Sequence, residues 1–187
     1  MAAPIVELRP VRPDDKDRLL AWRNSPDVAA YMYTDHKITQ AEHDRWFAGL
    51  NGDERRAYWI IEMDHAPVGL ANLYDIDRRN SRCAWAYYLA DPSVRGKGVG
   101  GYVEFLMLDR VFGELGLGKL WCEVLVSNGA VIRMHHKFGF KEEARFRSHV
   151  LKDGEMQDVV GLGLLADEWL DARPRMQQTL SASGFSV

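Results

Sequence analysis

Apolar residues along this chain change their spacing twice. Over positions 14–50 they recur at helical intervals. Leu19, Leu20 and Trp22 follow an Asp14 or Asp15 cap, a short helical piece runs through DVAAYMY after Pro26, and Trp46, Phe47 and Leu50 fall in TQAEHDRWFAGL. Thr39 and Glu42 give that last helix a capping box. A first strand at 5–11 precedes all of these. The period then shortens: AYWIIEMD and PVGLANLYDID read as strands joined at Asp64-His65-Ala66-Pro67, and RCAWAYYLA as a third, ended by Asp91-Pro92. Helical spacing returns over 102–115 (Val103, Leu106, Met107, Val111, Leu115) and stops at Gly116 and Gly118. KLWCEVLV is an apolar strand interrupted by one carboxylate, Glu123. SNGAVIRMHHKFGF reads as a helix capped by Ser127 or Asn128 and ended near Gly139, and ARFRSHVLKDGEMQDVVGLGLL as a hairpin turning at Asp153-Gly154.

This alternation, without repeat or linker, predicts one domain over 1–172 and a polar, flexible tail over 173–187. The 187 residues are 47% hydrophobic and 27% charged, with a net charge of −3, so nothing favours a nucleic-acid partner. Cys83 and Cys122 sit singly in apolar strands and read as reduced, buried thiols. The start, MAAPIVELRP, has no secretory-leader pattern, and no apolar run approaches the roughly 20 residues of a membrane span, so a cytoplasmic protein is expected. No metal site is expected: His135 and His136 are adjacent on a helix and point apart.

The chemistry concentrates in SVRGKGVGGY. Bare glycines, two cations and a helix N-terminus together suit an anion, above all a phosphate. Gly96-Lys97-Gly98-Val99-Gly100-Gly101 satisfies G-x-G-x-x-G, yet a dinucleotide loop leaves its strand directly, whereas here a proline and further residues intervene. A Walker A loop fails for want of Ser or Thr after Lys97. A glycine turn without a ligand is the bland alternative.

The order strand, D-P-x-x-R-G-x-G-x-G, helix, strand, N-x-x-V-I, helix, G-F resembles the GNAT superfamily of acetyl-CoA-dependent N-acetyltransferases over roughly residues 5–170. That resemblance implies an α+β, three-layer αβα fold: a central mixed, mostly antiparallel sheet splayed at the cofactor cleft and flanked by helices. It implies acetyl-CoA as co-substrate. Val94, Arg95, Gly96, Lys97, Gly98, Val99 and Gly100 would hold its pyrophosphate, with Asn128 beyond the next strand and a backbone N–H near Leu89 for the oxyanion. Glu123, alone in its strand, is the candidate base, acting through a water. His135 stands where relatives often carry an acidic tyrosine and is the candidate proton donor; a packed helix residue is the equal alternative. Transfer would be by direct attack in a ternary complex.

The amino-terminal half, with WRNSPDVAAYMY and ITQAEHDRWFAGL, further resembles the nucleotide-sugar acetyltransferases of pseudaminic acid biosynthesis, used in flagellin glycosylation. The implied acceptor is the 4-amino group of a UDP-linked 4-amino-4,6-dideoxy sugar. Arg23, Tyr31, Met32, His43 and Trp46 would meet the UDP, and Asn72, Tyr74 and Tyr88 the sugar. The bland alternative for Trp46, beside Trp22 and Phe47, is simple core. Two other functions stay open: an N-terminal acetyltransferase of the ribosomal-protein type, and a CoA-binding module without catalysis. A homodimer is also left open.

Overall fold

The computed structural model describes residues 4–50 and 52–186. Thirteen regular elements are arranged as a sheet between two helical layers: β1 (Val6–Pro10), α1 (Lys16–Arg23), α2 (Pro26–Ala29), α3 (Gln40–Ala48), β2 (Ala57–Met63), β3 (Ala66–Asp77), β4 (Arg82–Leu89), α4 (Val99–Leu108), β5 (Lys119–Leu125), α5 (Gly129–Phe138), β6 (Lys141–Lys152), β7 (Glu155–Leu165) and α6 (Ala166–Ala182). The sheet order is β1-β2-β3-β4-β5-β7-β6. Every neighbouring pair is antiparallel except β4 with β5, which is parallel. The three-layer, mixed architecture expected from the sequence is therefore present.

The centre of the sheet is open. β4 and β5 pair only at Arg82↔Lys119, Cys83↔Leu120 and Ala84↔Trp121. Beyond that point β4 stays in register with β3 as far as Leu89, and β5 stays with β7 as far as Leu125. Each strand thus keeps its outer partner and loses its inner one. Gly69 contributes to this local shape: a Cβ there would lie 2.2 Å from the Tyr88 carbonyl oxygen, so only glycine lets β3 approach β4 at this point.

On one face α4 is apolar almost all round and packs with Trp85, Leu120, Leu162 and Trp169 in the main core. On the other, Leu19 of α1 meets Ile60 and Leu70, with Trp22, Trp46 and Phe47 around them. Thr39 caps α3 in the expected box with Glu42. Other local expectations need correcting. Asp15 does not cap α1 by its side chain; its buried carboxylate accepts from the Arg12 backbone at 2.9 Å and from the guanidinium groups of Arg9 and Arg18. Burial would raise its pKa, but those donors hold it below the ordinary carboxylate value. The helix expected over 102–115 begins at Val99 and widens into a π-helical turn over Asp109–Glu114.

The tail is the largest departure. The polar run from Arg173 continues α6 to Ala182, with Pro174 inside the helix; Val187 lies outside the described residues. Order comes from both chemistries. Asp109 takes both arms of the Arg173 guanidinium at 2.8 Å and the Trp169 indole N–H at 3.1 Å, while Met176, Leu180 and Phe185 are buried. Cys83 and Cys122 are free and buried. Among the described residues no helix is long and apolar enough to cross a membrane.

Because the Gly69 clash would be with backbone, Gly69→Ala is expected to cost about 2 kcal/mol of stability. A urea melt within about 0.3 kcal/mol of the parent would show that β3 and β4 can part there freely.

Candidate active site

Between the diverging halves of β4 and β5 lies a cavity of about 470 Å³. Its walls are Trp85–Leu89 on one side and Cys122–Leu125 on the other, roofed by Val28, Met32 and Tyr33 and floored by Asn128, Val131 and His135. The alternation of β5 accounts for what each strand residue offers. Cys122 and Val124 are buried with the α4–α5 core, and Glu123 is half-buried between them.

The glycine loop follows β4 through a short 3₁₀ turn, Pro92–Val94, closed by the Asp91 carboxylate accepting from Ser93 N–H at 2.8 Å. Gly96 and Gly98 adopt φ of +72° and +81°, conformations that a side chain would strain, and Gly98 is the N-cap of α4. The N–H groups of the first turn of α4 are thereby left for an anion. Val94 and Val99 are buried and anchor the loop from either side, whereas Lys97 is exposed. Arg95 is less free than expected: it lines the cavity but pairs with Asp27 at 3.0 Å. Over this helix start lies the chain's far end. The Phe185 ring stacks on Tyr102 at 4.8 Å and would meet a Cβ on Gly98 at 2.9 Å, and the Tyr102 hydroxyl donates to the Ser186 carbonyl at 2.6 Å.

Glu123 has a partner the sequence reading missed: the Tyr33 hydroxyl donates to its Oε2 at 2.9 Å. Burial first, then that carboxylate, push the Tyr33 phenol well above its ordinary value, so it stays a donor. Tyr74 lines the same cavity, its phenol likewise raised by burial and by Glu123. His135 is buried on α5, its Nδ1 2.8 Å from Oε1 of Glu104, a carboxylate of α4 with no exposed surface. Burial alone would lower the imidazole; Glu104, together with a hydrogen bond from the ring to the Cys122 sulfur, outweighs it and holds His135 above its ordinary 6.5. Asn128 is the N-cap of α5 and lines the cavity, but neither it nor Ser127 caps by side chain; the turn is closed by backbone, Asn128 N–H to Leu125 C=O at 2.8 Å. Leu89 lines the cavity.

A second cavity, about 390 Å³, opens on the α1–α3 side and shares Met32, Ala86, Tyr87 and Tyr88 with the first. Arg23, Met32, His43, Trp46, Asn72 and Tyr88 line it, so six of the eight expected acceptor residues converge; Tyr31 and Tyr74 line the first cavity instead. His43 is not a free cation there. It is buried, its Nε2 is 2.7 Å from the Lys16 carbonyl oxygen, and its ring packs on Trp46 at 5.2 Å. Trp46 is both cavity wall and packing for the smaller core. Arg23 is half-buried, donates to the Thr34 hydroxyl at 2.9 Å, and makes no ion pair among the described residues; burial lowers its pKa. Among the described residues no group of three or more His, Cys, Asp or Glu could hold a metal.

This arrangement, a sheet parted at its one parallel pair with a glycine-lined helix start beside the gap, is that of an acyl-CoA transferase. Residues 6–141 match the family described as acetyltransferase (GNAT) domain, and the chain belongs to that family of N-acetyltransferases. It is 33% identical over 122 residues to the SPbeta prophage-derived uncharacterized N-acetyltransferase YokL of Bacillus subtilis (strain 168), covering 64% of this chain and 67% of that one. It is 29% identical over 117 residues to the probable N-acetyltransferase YjcK of the same organism, covering 62% and 65%. Among solved structures, the spermidine N-acetyltransferase from Vibrio cholerae in complex with CoA and spermine superposes with a TM-score of 0.83 at 21% identity, over 88% of this chain and 98% of that one. A chimera of that enzyme with hSSAT gives 0.82 at 22% identity, over 89% and 98%.

Phe185→Ala is expected to cost about 3 kcal/mol in a urea melt, since the ring is buried against Tyr102 and Gly98. A change below about 0.5 kcal/mol would mark the chain end as loosely held.

Proposed function

We propose that this acetyltransferase moves acetyl from acetyl-CoA to an amine on a nucleotide-linked sugar, the 4-amino group of a UDP-linked 4-amino-4,6-dideoxy sugar. The observation that carries the acceptor class is Arg23: a half-buried guanidinium, unpaired with any carboxylate among the described residues, at a cavity walled by Trp46, Tyr58 and Tyr88. Taking a cation partly out of water without a counter-ion favours a ligand that brings one, and aromatic walls suit a flat base. The solved neighbours named as spermidine acetyltransferases act on a polycation, which Arg23 would repel.

For acetyl-CoA, the fit rests on two features: positive-φ glycines at the start of α4, and the inner edge of β4 from Trp85 to Leu89, unpaired with β5. Loop amides suit the pyrophosphate, and an open strand edge suits the amides of the pantetheine arm. Glu123 lines the first cavity, held by Tyr33, and removes the acceptor's proton directly or through a water. His135, on the far wall, supplies the proton that the leaving sulfur needs. The amine attacks the thioester carbonyl in a ternary complex, as the two adjoining cavities suggest.

Turnover of acetyl-CoA is to be compared with a UDP-4-amino-4,6-dideoxy sugar, with spermidine, with a ribosomal-protein N-terminal peptide and without acceptor. The sugar alone is expected to support multiple turnovers; turnover with spermidine or the peptide but not the sugar overturns the acceptor assignment. Arg23→Ala is expected to raise the KM for the sugar about tenfold or more, with acetyl-CoA binding unchanged. Glu123→Gln is expected to lower kcat about 10²-fold or more with little effect on acetyl-CoA affinity; an unchanged kcat removes Glu123 from the reaction.

A further inference from the structure

Glu104 is the oddest residue in the core. It sits in the middle of α4, in VGGYVEFLML, where the Tyr102 hydroxyl is the one other polar side-chain group, and has no exposed surface. Its Oε2 has no hydrogen-bond partner among the described residues, and burial raises its pKa; His135 on Oε1 is the group that opposes that rise and favours the carboxylate. A carboxylate placed so deep is costly unless its partner is cationic. The ring it holds borders the cleft between β4 and β5.

We propose that Glu104 is a positioning residue whose carboxylate holds His135 as an imidazolium, so that a cationic N–H faces the cleft as proton donor to the departing CoA thiolate. The inference rests on the reading above that the thioester lies in this cleft, and gives its leaving group a specific acid. Nδ1 is committed to Glu104, so Nε2 is the donating nitrogen, and it exchanges its hydrogen bond to the Cys122 sulfur for one to the thiolate. The Nε2 proton passes to the thiolate sulfur, forming the thiol and leaving a neutral imidazole still bound to Glu104. Water reprotonates the ring before the next cycle. The groups around the ring are accounted for: Glu104 from α4, the hydrogen-bonding Cys122 from β5, and the Trp85 ring at 5.4 Å from β4. Tyr87, also of β4, lines the cavity with a phenol held neutral by burial, and Phe140 lies 5.0 Å away after α5. His136 turns aside, its Nδ1 engaged with the Phe140 carbonyl at 3.0 Å.

The test is nitrogen NMR of the histidine rings in the full chain without ligand, with His135→Asn to assign the signals. Both His135 nitrogens are expected to remain protonated at about pH 8.5, where a free imidazole is neutral. In Glu104→Gln the ring is expected to become neutral by about pH 7.5, and the high-pH loss of kcat to move down by at least about one pH unit, with the KM for acetyl-CoA within twofold. Glu104→Asp, which restores the charge, should recover part of that shift. A neutral His135 at about pH 8.5 in the parent protein overturns the proposal, and this readout stands even where Glu104→Gln does not fold. An unmoved kcat profile in a folded Glu104→Gln overturns it equally. Calorimetric titration with CoA is run on the same samples: absent binding would sink the acetyl-transfer reading while leaving the ring's charge state measured.

Discussion

The parallel ladder between β4 and β5 runs for three residue pairs and then stops, and the rest of the site is arranged around that break. A sheet interior normally pairs both edges of each strand, because a buried N–H or C=O without a partner is costly. Here the two strands remain bonded outward, to β3 and β7, so the sheet stays continuous while its middle opens. The opening sits beside the N-terminus of α4, the other place in a fold where amides lack internal partners. Two sets of unsatisfied backbone groups are thus brought to one gap, and side chains from α2, α5 and β5 surround it.

The two walls of the gap carry different chemistry because they belong to different layers. On the side of α4 and α5 the pair Glu104–His135 is enclosed. On the side of α1–α3, Glu123, Tyr33 and Arg23 stay partly open to water, where an incoming substrate can reach them. One face thus encloses a buried Glu–His pair, and the other leaves polar side chains within reach of solvent.

Much of this was legible in the residues. The glycine loop, the lone carboxylate Glu123 and the alternation of strands and helices announced themselves by spacing, and the convergence of Arg23, Trp46, Asn72 and Tyr88 on one cavity followed the expected grouping. What escaped was long-range pairing. Tyr33 and Glu123 are ninety residues apart, so nothing local in YMYT indicates where that hydroxyl goes. Glu104 left a signal that could have been read, a carboxylate on an otherwise apolar helix, but its partner is a turn of another helix. His43 shows the reverse: a histidine beside tryptophan looks like a ligand site until its nitrogen is found on the Lys16 carbonyl. The tail misled because Pro174 and a polar composition read as loose chain. Its order depends on Asp109 and on buried residues spaced along one face of α6.

That last segment couples the two ends of the molecule's second half. Phe185 and Ser186 lie on the first turn of α4, against the ring and hydroxyl of Tyr102, so this segment forms part of the surround of the glycine loop. A Cβ at Gly98 would lie 2.9 Å from the Phe185 ring, so the bareness of the loop and the seating of a segment more than eighty residues away are one constraint.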